Sequence, residues 1–152
     1  MLKGEDHEVV GRWMLLSKLI KIISIVDDEE DITFLFRDAL KGIDDLMVCT
    51  FTDSRLALEH FQENKHAYAL VISDFRMPGL NGMELFRRMK KSNKFVRTIL
   101  TTAFALDDNI FKEYARKEII NVFLQKPIRL NVLRAEVETQ LQSYEKQKLY
   151  PS

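Results

Sequence analysis

Short apolar runs alternate with longer amphipathic segments from residue 21 onward. Each run is four or five residues long, which favours a buried β-strand; the five runs are 22–26, 47–51, 69–73, 98–101 and 122–125. Between the runs, apolar residues recur at spacings of three and four, as they do on one face of an amphipathic helix. The final segment carries Leu130, Leu133, Val137, Leu141 and Tyr144 at these spacings. The pattern therefore predicts five strands, each followed by a helix.

Strands that alternate with helices along a chain indicate right-handed crossovers and an α/β fold. We expect a doubly wound parallel sheet of five strands with five helices. The chain has 152 residues, which suits one domain with a sizeable core. We assign 1–20 to an N-terminal extension, 21–145 to the folded domain and 146–152 to a C-terminal tail.

The N-terminal extension has a pattern of its own. Val9, Trp13, Leu16 and Ile20 would share one face of a helix. Such a face could pack on the domain or on a partner, or the segment could be a poorly ordered terminus, which is the interpretation that we favour.

Composition argues against several functional classes. The 23 basic residues balance 23 acidic residues, so no general attraction to nucleic acid or to anionic lipid is expected. The apolar stretch 13–26 contains Lys18 and Lys21 and is shorter than the ~20 residues of a membrane span. With acidic rather than basic residues at the start, no secretory signal is expected and the predicted location is the cytoplasm. The single cysteine, Cys49, lies in a strand and is predicted to be a buried structural thiol.

Chemically distinctive residues stand directly after four of the predicted strands: Asp27, Asp28, Asp74, Thr102 and Lys126. The carboxyl ends of parallel strands meet at one edge, where such sheets bind their ligands. Carboxylates brought together repel one another and attract a hard divalent cation, Mg²⁺ or Mn²⁺, while the lysine and the hydroxyl can donate to an anion. The sequence therefore predicts a site that receives a phosphoryl group.

The same residues carry a resemblance to a known family. Four segments, in this order, resemble the receiver domain of two-component response regulators, and the likeness extends over about residues 21–144; the segments are 25–29 (IVDDE), 74–82 (DFRMPGLNG), 101–103 (TTA) and 126–127 (KP). The resemblance implies a flavodoxin-like fold with strand order 2-1-3-4-5 and helices on both faces of the sheet.

The resemblance also implies roles for the acidic residues. Asp74 would be the phosphoacceptor. Asp28 and Asp74 would bind Mg²⁺ directly, Asp27 would act through a water, and the backbone carbonyl of Arg76 would supply a further ligand. Acidic residues in a first turn stabilise a helix N-terminus, and Asp31 is expected to do only that.

Three further residues would respond to the phosphoryl group. By resemblance, Lys126 pairs with Asp74 before the reaction and with a phosphoryl oxygen afterwards, and Pro127 supports the lysine through a cis bond. Thr102 would donate its hydroxyl to the phosphoryl group, with Thr101 as the competing assignment. Thr102 and Phe123 would form a switch, although a plain core aromatic is an equally open interpretation of Phe123.

These roles define the expected function. The chain would take a phosphoryl group from a sensor histidine kinase or a phosphotransfer protein and then change its binding to a downstream protein, without being an enzyme. A homodimer through the last helices and strand is a further option. We also expect a stand-alone domain without an output domain. The alternative is a scaffold of the same fold whose interactions do not depend on phosphorylation.

One departure from the family pattern lies before the last strand. Relatives usually carry a Gly-Ala pair there, whereas this chain has Ile119-Ile120. The pair could form a partner surface or additional core, and we favour core.

Overall fold

The apolar runs form one parallel sheet in the computed structural model, which describes residues 20–103 and 108–150. The strands are β1 (Lys21–Val26), β2 (Leu46–Phe51), β3 (Tyr68–Asp74), β4 (Arg97–Thr102) and β5 (Val122–Gln125). Their order is β2-β1-β3-β4-β5, and every neighbouring pair is parallel. The predicted α/β fold and its strand order 2-1-3-4-5 are confirmed. The prediction for the N-terminal extension lies outside the described residues, apart from Ile20.

Five helices connect and follow these strands within the described ranges: α1 (Glu30–Ala39), α2 (Ser54–Asn64), α3 (Gly82–Ser92), α4 (Asp108–Arg116) and α5 (Leu130–Leu149). The helix α5 continues four residues into the segment predicted as a C-terminal tail. Across 20–103 and 108–150, none of the helices combines the length and the apolar character that a membrane crossing requires.

The sheet is covered on both faces, as parallel sheets require. Alternate residues of the central strand β3 enter two separate cores: Val71 faces α2 and α3, whereas Leu70 and Ile72 face α1 and α5. All three side chains are almost completely buried. This burial on both faces fixes the direction of each strand and hence the position of the residues that directly follow its carboxyl end.

Side-chain caps define where two helices begin. Asp53 accepts a hydrogen bond from the Arg55 N–H at 2.8 Å and caps α2. Asn81 caps α3 by accepting from the Glu84 N–H at 2.9 Å. These bonds satisfy backbone donors that have no partner inside the helix.

The turn before β5 explains the unusual isoleucine pair. The Ile119 N–H donates to the Tyr114 carbonyl at 2.9 Å and the Glu118 N–H to the Ala115 carbonyl at 3.0 Å, while Glu118 has φ 60°. This is a Schellman ending with a glutamate in the left-handed position. Ile120 is 5 % exposed and joins the core, so the core interpretation of this pair is confirmed.

Cys49 is less buried than predicted. It lies beside Ser24 in the β1–β2 register but is only half-buried, because β2 is the edge strand of the sheet. Burial still raises the pKa of its thiol.

A polar junction ties α3 to the beginnings of β4 and β5. The Asn121 Oδ1 atom accepts hydrogen bonds from the Lys90 ammonium at 2.9 Å and from the Thr98 N–H at 3.0 Å. Burial, and to a smaller extent the charge of Arg97, lower the pKa of Lys90 to about 8, with Glu118 opposing the shift. Keeping Lys90 protonated in the folded protein therefore costs free energy.

The partly buried Lys90 should make stability depend on alkaline pH. Its pKa falls from 10.5 to about 8 on folding, so the unfolded chain binds the extra proton between these values. The free energy of unfolding should thus rise with pH across that window, by up to about 3 kcal/mol from this group, and the full cost should be present below it. Lys90→Met should remove this slope and stabilise the protein at neutral pH, as measured by urea unfolding.

The matched control for that experiment is Lys91→Met, since Lys91 is exposed in the same turn of α3. It should keep the wild-type pH dependence. A Lys90→Met protein with an unchanged slope would contradict the interpretation.

Candidate functional site

Three aspartates meet at the carboxyl edge of the sheet. Asp27 and Asp28 follow β1, Asp74 ends β3, and these strands are parallel neighbours. One carboxylate oxygen from each residue lies within 4.8 Å of the other two. Because carboxylate oxygens are the ligands that hard divalent cations prefer, the donor set fits Mg²⁺.

Asp27 is held by two hydrogen bonds. Its side chain is 2 % exposed; Oδ1 accepts from the Glu29 N–H at 2.9 Å, and Oδ2 accepts from the Lys126 ammonium at 2.7 Å. Both oxygens are therefore engaged by protein donors. Within the described residues, Asp27 is the member of the group whose two carboxylate oxygens both have protein donors.

The predicted ion pair between Lys126 and Asp74 is present, and Asp27 is a second partner of the same ammonium. Its ammonium lies 2.7 Å from Asp27 but 3.6 Å from Asp74 Oδ1, so Asp27 is the closer partner. The reason is that Asp27 is almost out of contact with water and therefore requires a charged donor more than Asp74 does. Burial alone would lower the pKa of Lys126, but its hydrogen bond to Asp27 and the charges of Asp27 and Asp74 raise the pKa overall.

Asp74 lies close to the carboxylates of Asp27 and Asp28 and to the Lys126 ammonium. Its side chain is 15 % exposed, and Oδ1 accepts from the Phe75 N–H at 3.0 Å. Burial raises the pKa of Asp74, the carboxylates of Asp27 and Asp28 raise it further, and Lys126 and the Phe75 N–H oppose this shift. A carboxylate in this position gains from any additional positive charge.

The glycine that begins α3 fixes the backbone of Asp74. The Gly82 N–H donates to the Phe75 carbonyl at 2.8 Å. A Cβ atom on Gly82 would overlap the Asp74 carbonyl oxygen and would lie 2.7 Å from Leu100 Cδ1. This contact between Gly82 and the preceding strand cannot be read from spacing along the sequence.

Ser54 is a supporting residue that sequence reasoning missed. It is 1 % exposed at the start of α2, and its hydroxyl oxygen accepts from the Leu80 N–H at 3.2 Å in the loop after Asp74. The signal was present in the dipeptide Asp53-Ser54, which offers two capping side chains where a helix needs one.

The threonine pair ends β4 beside these groups. Thr101 lies opposite Asp74 in the β3–β4 register, and Thr102 lies opposite Gln125. Both threonines are 1 % exposed. The Thr102 carbonyl accepts from the Lys126 N–H at 2.7 Å, so the backbones that carry the hydroxyl and the ammonium are joined. The Lys126-Pro127 bond is cis.

The other two predicted site residues lie near the surface. Arg76 is exposed in the loop that follows Asp74. Phe123 is 40 % exposed, with its ring centroid 4.8 Å from that of Phe111 in α4. The interpretation of Phe123 as a plain core aromatic is therefore wrong, because β5 is an edge strand and gives this ring incomplete cover.

Replacing Gly82 by alanine should disturb the site. The added Cβ would push on the Asp74 backbone, and overpacking of this kind typically costs about 1–3 kcal/mol. Urea unfolding should register this loss, and titration calorimetry should register weaker Mg²⁺ binding.

Gly42→Ala is the control, since Gly42 has φ +88° but a Cβ there would meet only the Arg134 side chain, at an ordinary contact distance of 3.7 Å. It should lower stability through backbone strain without affecting Mg²⁺ binding. Normal Mg²⁺ affinity in Gly82→Ala would argue against the role assigned to Gly82.

Comparisons with known proteins agree with this geometry. The family profile described as response regulator receiver domain matches residues 23–138. The chain is 32 % identical over 138 residues to the cyclic di-GMP phosphodiesterase response regulator RpfG of Xanthomonas campestris pv. campestris (strain 8004), covering 89 % of this chain and 35 % of that protein. It is 26 % identical to the probable chemotaxis protein CheY of Rhizobium etli, covering 82 % of this chain and 95 % of that protein.

Some of these relatives are much longer than the matched region. The chain spans about a third of RpfG and about a quarter of the Escherichia coli (strain K12) DNA-binding transcriptional regulator NtrC. Among solved structures, a response regulator receiver domain protein from Clostridium thermocellum is similar with a TM-score of 0.72 and 29 % identity, covering 86 % of this chain and 99 % of that chain. A signal receiver domain of a Vibrio parahaemolyticus LuxO repressor has a TM-score of 0.76 at 19 % identity, over 88 % of this chain and 99 % of that chain, and shares the fold.

Proposed function

The chain belongs to the response regulator receiver domain family of two-component signalling, and we propose that it takes a phosphoryl group onto Asp74 and signals by changing its binding to another protein. The observation that carries the proposal is the meeting of Asp27, Asp28 and Asp74 with the Lys126 ammonium at one edge of the sheet. The matched relatives are mostly longer proteins, so their other activities are not carried over to this chain.

The proposed reaction is a displacement at phosphorus. A carboxylate oxygen of Asp74 attacks the phosphorus of a phosphohistidine on a sensor histidine kinase or a phosphotransfer protein. The new O–P bond makes an acyl phosphate, while the N–P bond breaks and its electron pair stays on the imidazole of the donor. Among the described contacts, those to the Phe75 N–H and to Lys126 fall on Oδ1, so we assign the attack to Oδ2.

Lys126 is placed to stabilise the transferred group. Its ammonium is anchored by Asp27 at 2.7 Å and already lies 3.6 Å from Asp74, so a phosphoryl oxygen on Asp74 would come within its reach. Phosphoryl transfer depends mainly on positioning and on neutralising the charge of the equatorial oxygens. The Thr102 hydroxyl is the second proposed donor, because its backbone is tied to Lys126.

The acidic group is proposed to hold Mg²⁺, with Mn²⁺ as an alternative. Asp28 and Asp74 would bind it directly, Asp27 would act through a water, and the carbonyl of Arg76 would complete the protein ligands. The bound ion would supply positive charge to the carboxylates and to the phosphoryl oxygens.

Signalling would follow from the added charge. We infer that Thr102 and the half-covered Phe123 form the switch, and that Phe123 responds because it packs on Phe111 of α4 rather than inside the core. The chain would carry only its own phosphorylation and dephosphorylation chemistry and would not act as an enzyme on a separate substrate. The alternative, a phosphorylation-independent scaffold, predicts no labelling at Asp74.

Labelling by a small phosphodonor tests the acceptor. In acetyl phosphate and Mg²⁺, the wild-type chain should gain one phosphoryl group by intact mass, whereas Asp74→Asn should gain none because an amide is not a nucleophile for this transfer. Asp31→Asn is the matched control, since Asp31 is exposed in the first turn of α1, and it should label normally. Labelling of Asp74→Asn at the wild-type rate would refute the assignment.

Thermal unfolding tests the metal site. A ligand that binds only the folded state at 100 times its Kd adds about 2.7 kcal/mol of stability, or a rise of about 5–10 °C in Tm for a chain of this size. Mg²⁺ should give such a rise for the wild type and for Asp31→Asn, and a much smaller one for Asp28→Asn. In EDTA, Asp74→Asn should be more stable than the wild type because one repelling carboxylate is gone. An equal Mg²⁺ effect in all the variants would exclude the proposed site.

A further inference from the structure

A groove lies at the edge of the sheet opposite to Asp74. It has a volume of about 310 Å³, and the side chains of Ile20, Ala67, Tyr144 and Leu149 supply its apolar lining. Ile20 directly precedes β1, and Leu149 is the last residue of α5, so the groove is formed where the first strand begins and the last helix ends.

Two of the apolar side chains that line this groove, together with the neighbouring Tyr150, have little cover from the described residues, whereas Tyr144 is buried. Leu149 is 71 % exposed, the neighbouring Tyr150 is 81 % exposed and Ile20 is 40 % exposed. Single exposed apolar residues are ordinary on protein surfaces, but a group of them around one concavity marks a contact site.

The helix α5 reaches this groove because it is long. It has 20 residues, whereas the other four helices of the described ranges have nine to eleven. Its last part holds Tyr144, which is 3 % exposed, with the Lys148 ammonium 5.2 Å from the ring centroid. Lys21 forms an ion pair with Glu145 at the rim. The groove thus combines apolar side chains with a charged border.

The chain itself supplies a matching apolar stripe. Val9, Trp13 and Leu16 continue the helical spacing of Ile20, and Ile20 already lines the groove. Trp13 precedes Ile20 by seven residues, which is about 10 Å along a helix. Because the stripe is joined covalently to the edge of the groove, its local concentration would be in the range of mM, as for short tethers.

We propose that this groove binds the Val9, Trp13 and Leu16 stripe of the same chain, so that the N-terminal segment covers the edge of the sheet between β1 and the end of α5. The tether favours this occupant over a second copy of the chain, which would have to associate from dilute solution. The inference goes beyond phosphotransfer and does not rest on it, since the groove and Asp74 are at opposite ends of the strands.

Tryptophan fluorescence tests this directly, because Trp13 is the only tryptophan of the chain. In the full-length protein, Trp13 emission should be blue-shifted and protected from acrylamide relative to the urea-unfolded chain. Leu149→Glu should shift the emission to the red and increase quenching, because it places a charge in the groove. Far-UV circular dichroism should confirm that the variant remains folded.

Val132→Glu is the matched control, since Val132 is 44 % exposed at the other end of the same helix. It should leave Trp13 emission unchanged, and so should Asp74→Asn, which separates this proposal from the proposed function. Emission equal to that of the unfolded chain, or emission that Leu149→Glu does not change, would overturn the proposal. A blue shift that disappears on dilution would overturn it in favour of a second copy.

Discussion

Three carboxylates that lie within 4.8 Å of one another are the constraint on which this site depends. Their mutual repulsion raises the free energy of the folded state unless positive charge is nearby. Lys126 supplies part of that charge and places it on Asp27, the most buried member, at 2.7 Å. Of the two carboxylates that lie near the Lys126 ammonium, Asp74 is the more distant, so its negative charge is neutralised less. A bound cation would therefore stabilise the negative charge of Asp74, which is the residue that we propose to react.

The fold imposes this crowding through its two buried cores. Strands β1 and β3 are fixed in direction because each buries residues on both faces, so their carboxyl ends cannot separate to relieve the repulsion. The loop after Asp74 is fixed in turn by Gly82, which has no room for a side chain, and by the buried hydroxyl of Ser54. Stability contributed by packing thus offsets the electrostatic cost of the site.

The two ends of the parallel strands, the carboxyl edge and the amino edge of the sheet, carry different groups of residues. The carboxyl edge gathers charged groups that can react with a ligand, whereas the amino edge includes the hydrogen bonds that converge on Asn121. The groove between Ile20 and Leu149 also lies at the amino edge, and these two side chains are exposed there. Covering it with the segment before Ile20 would complete the domain without touching the chemistry at Asp74.

Sequence patterns were sufficient to predict the strands to within about one residue, the helix that follows each strand, the strand order through the family resemblance, and the identity of the residues at the carboxyl edge. These follow from periodicity and from the rule that parallel strands end at one edge, both of which are local or topological. Three features became evident only in the folded protein: Lys126 lies closer to Asp27 than to Asp74, Gly82 abuts the Asp74 carbonyl, and Phe123 is 40 % exposed. Those outcomes depend on distances and burial between segments far apart in the chain, and spacing along a sequence carries no information about either.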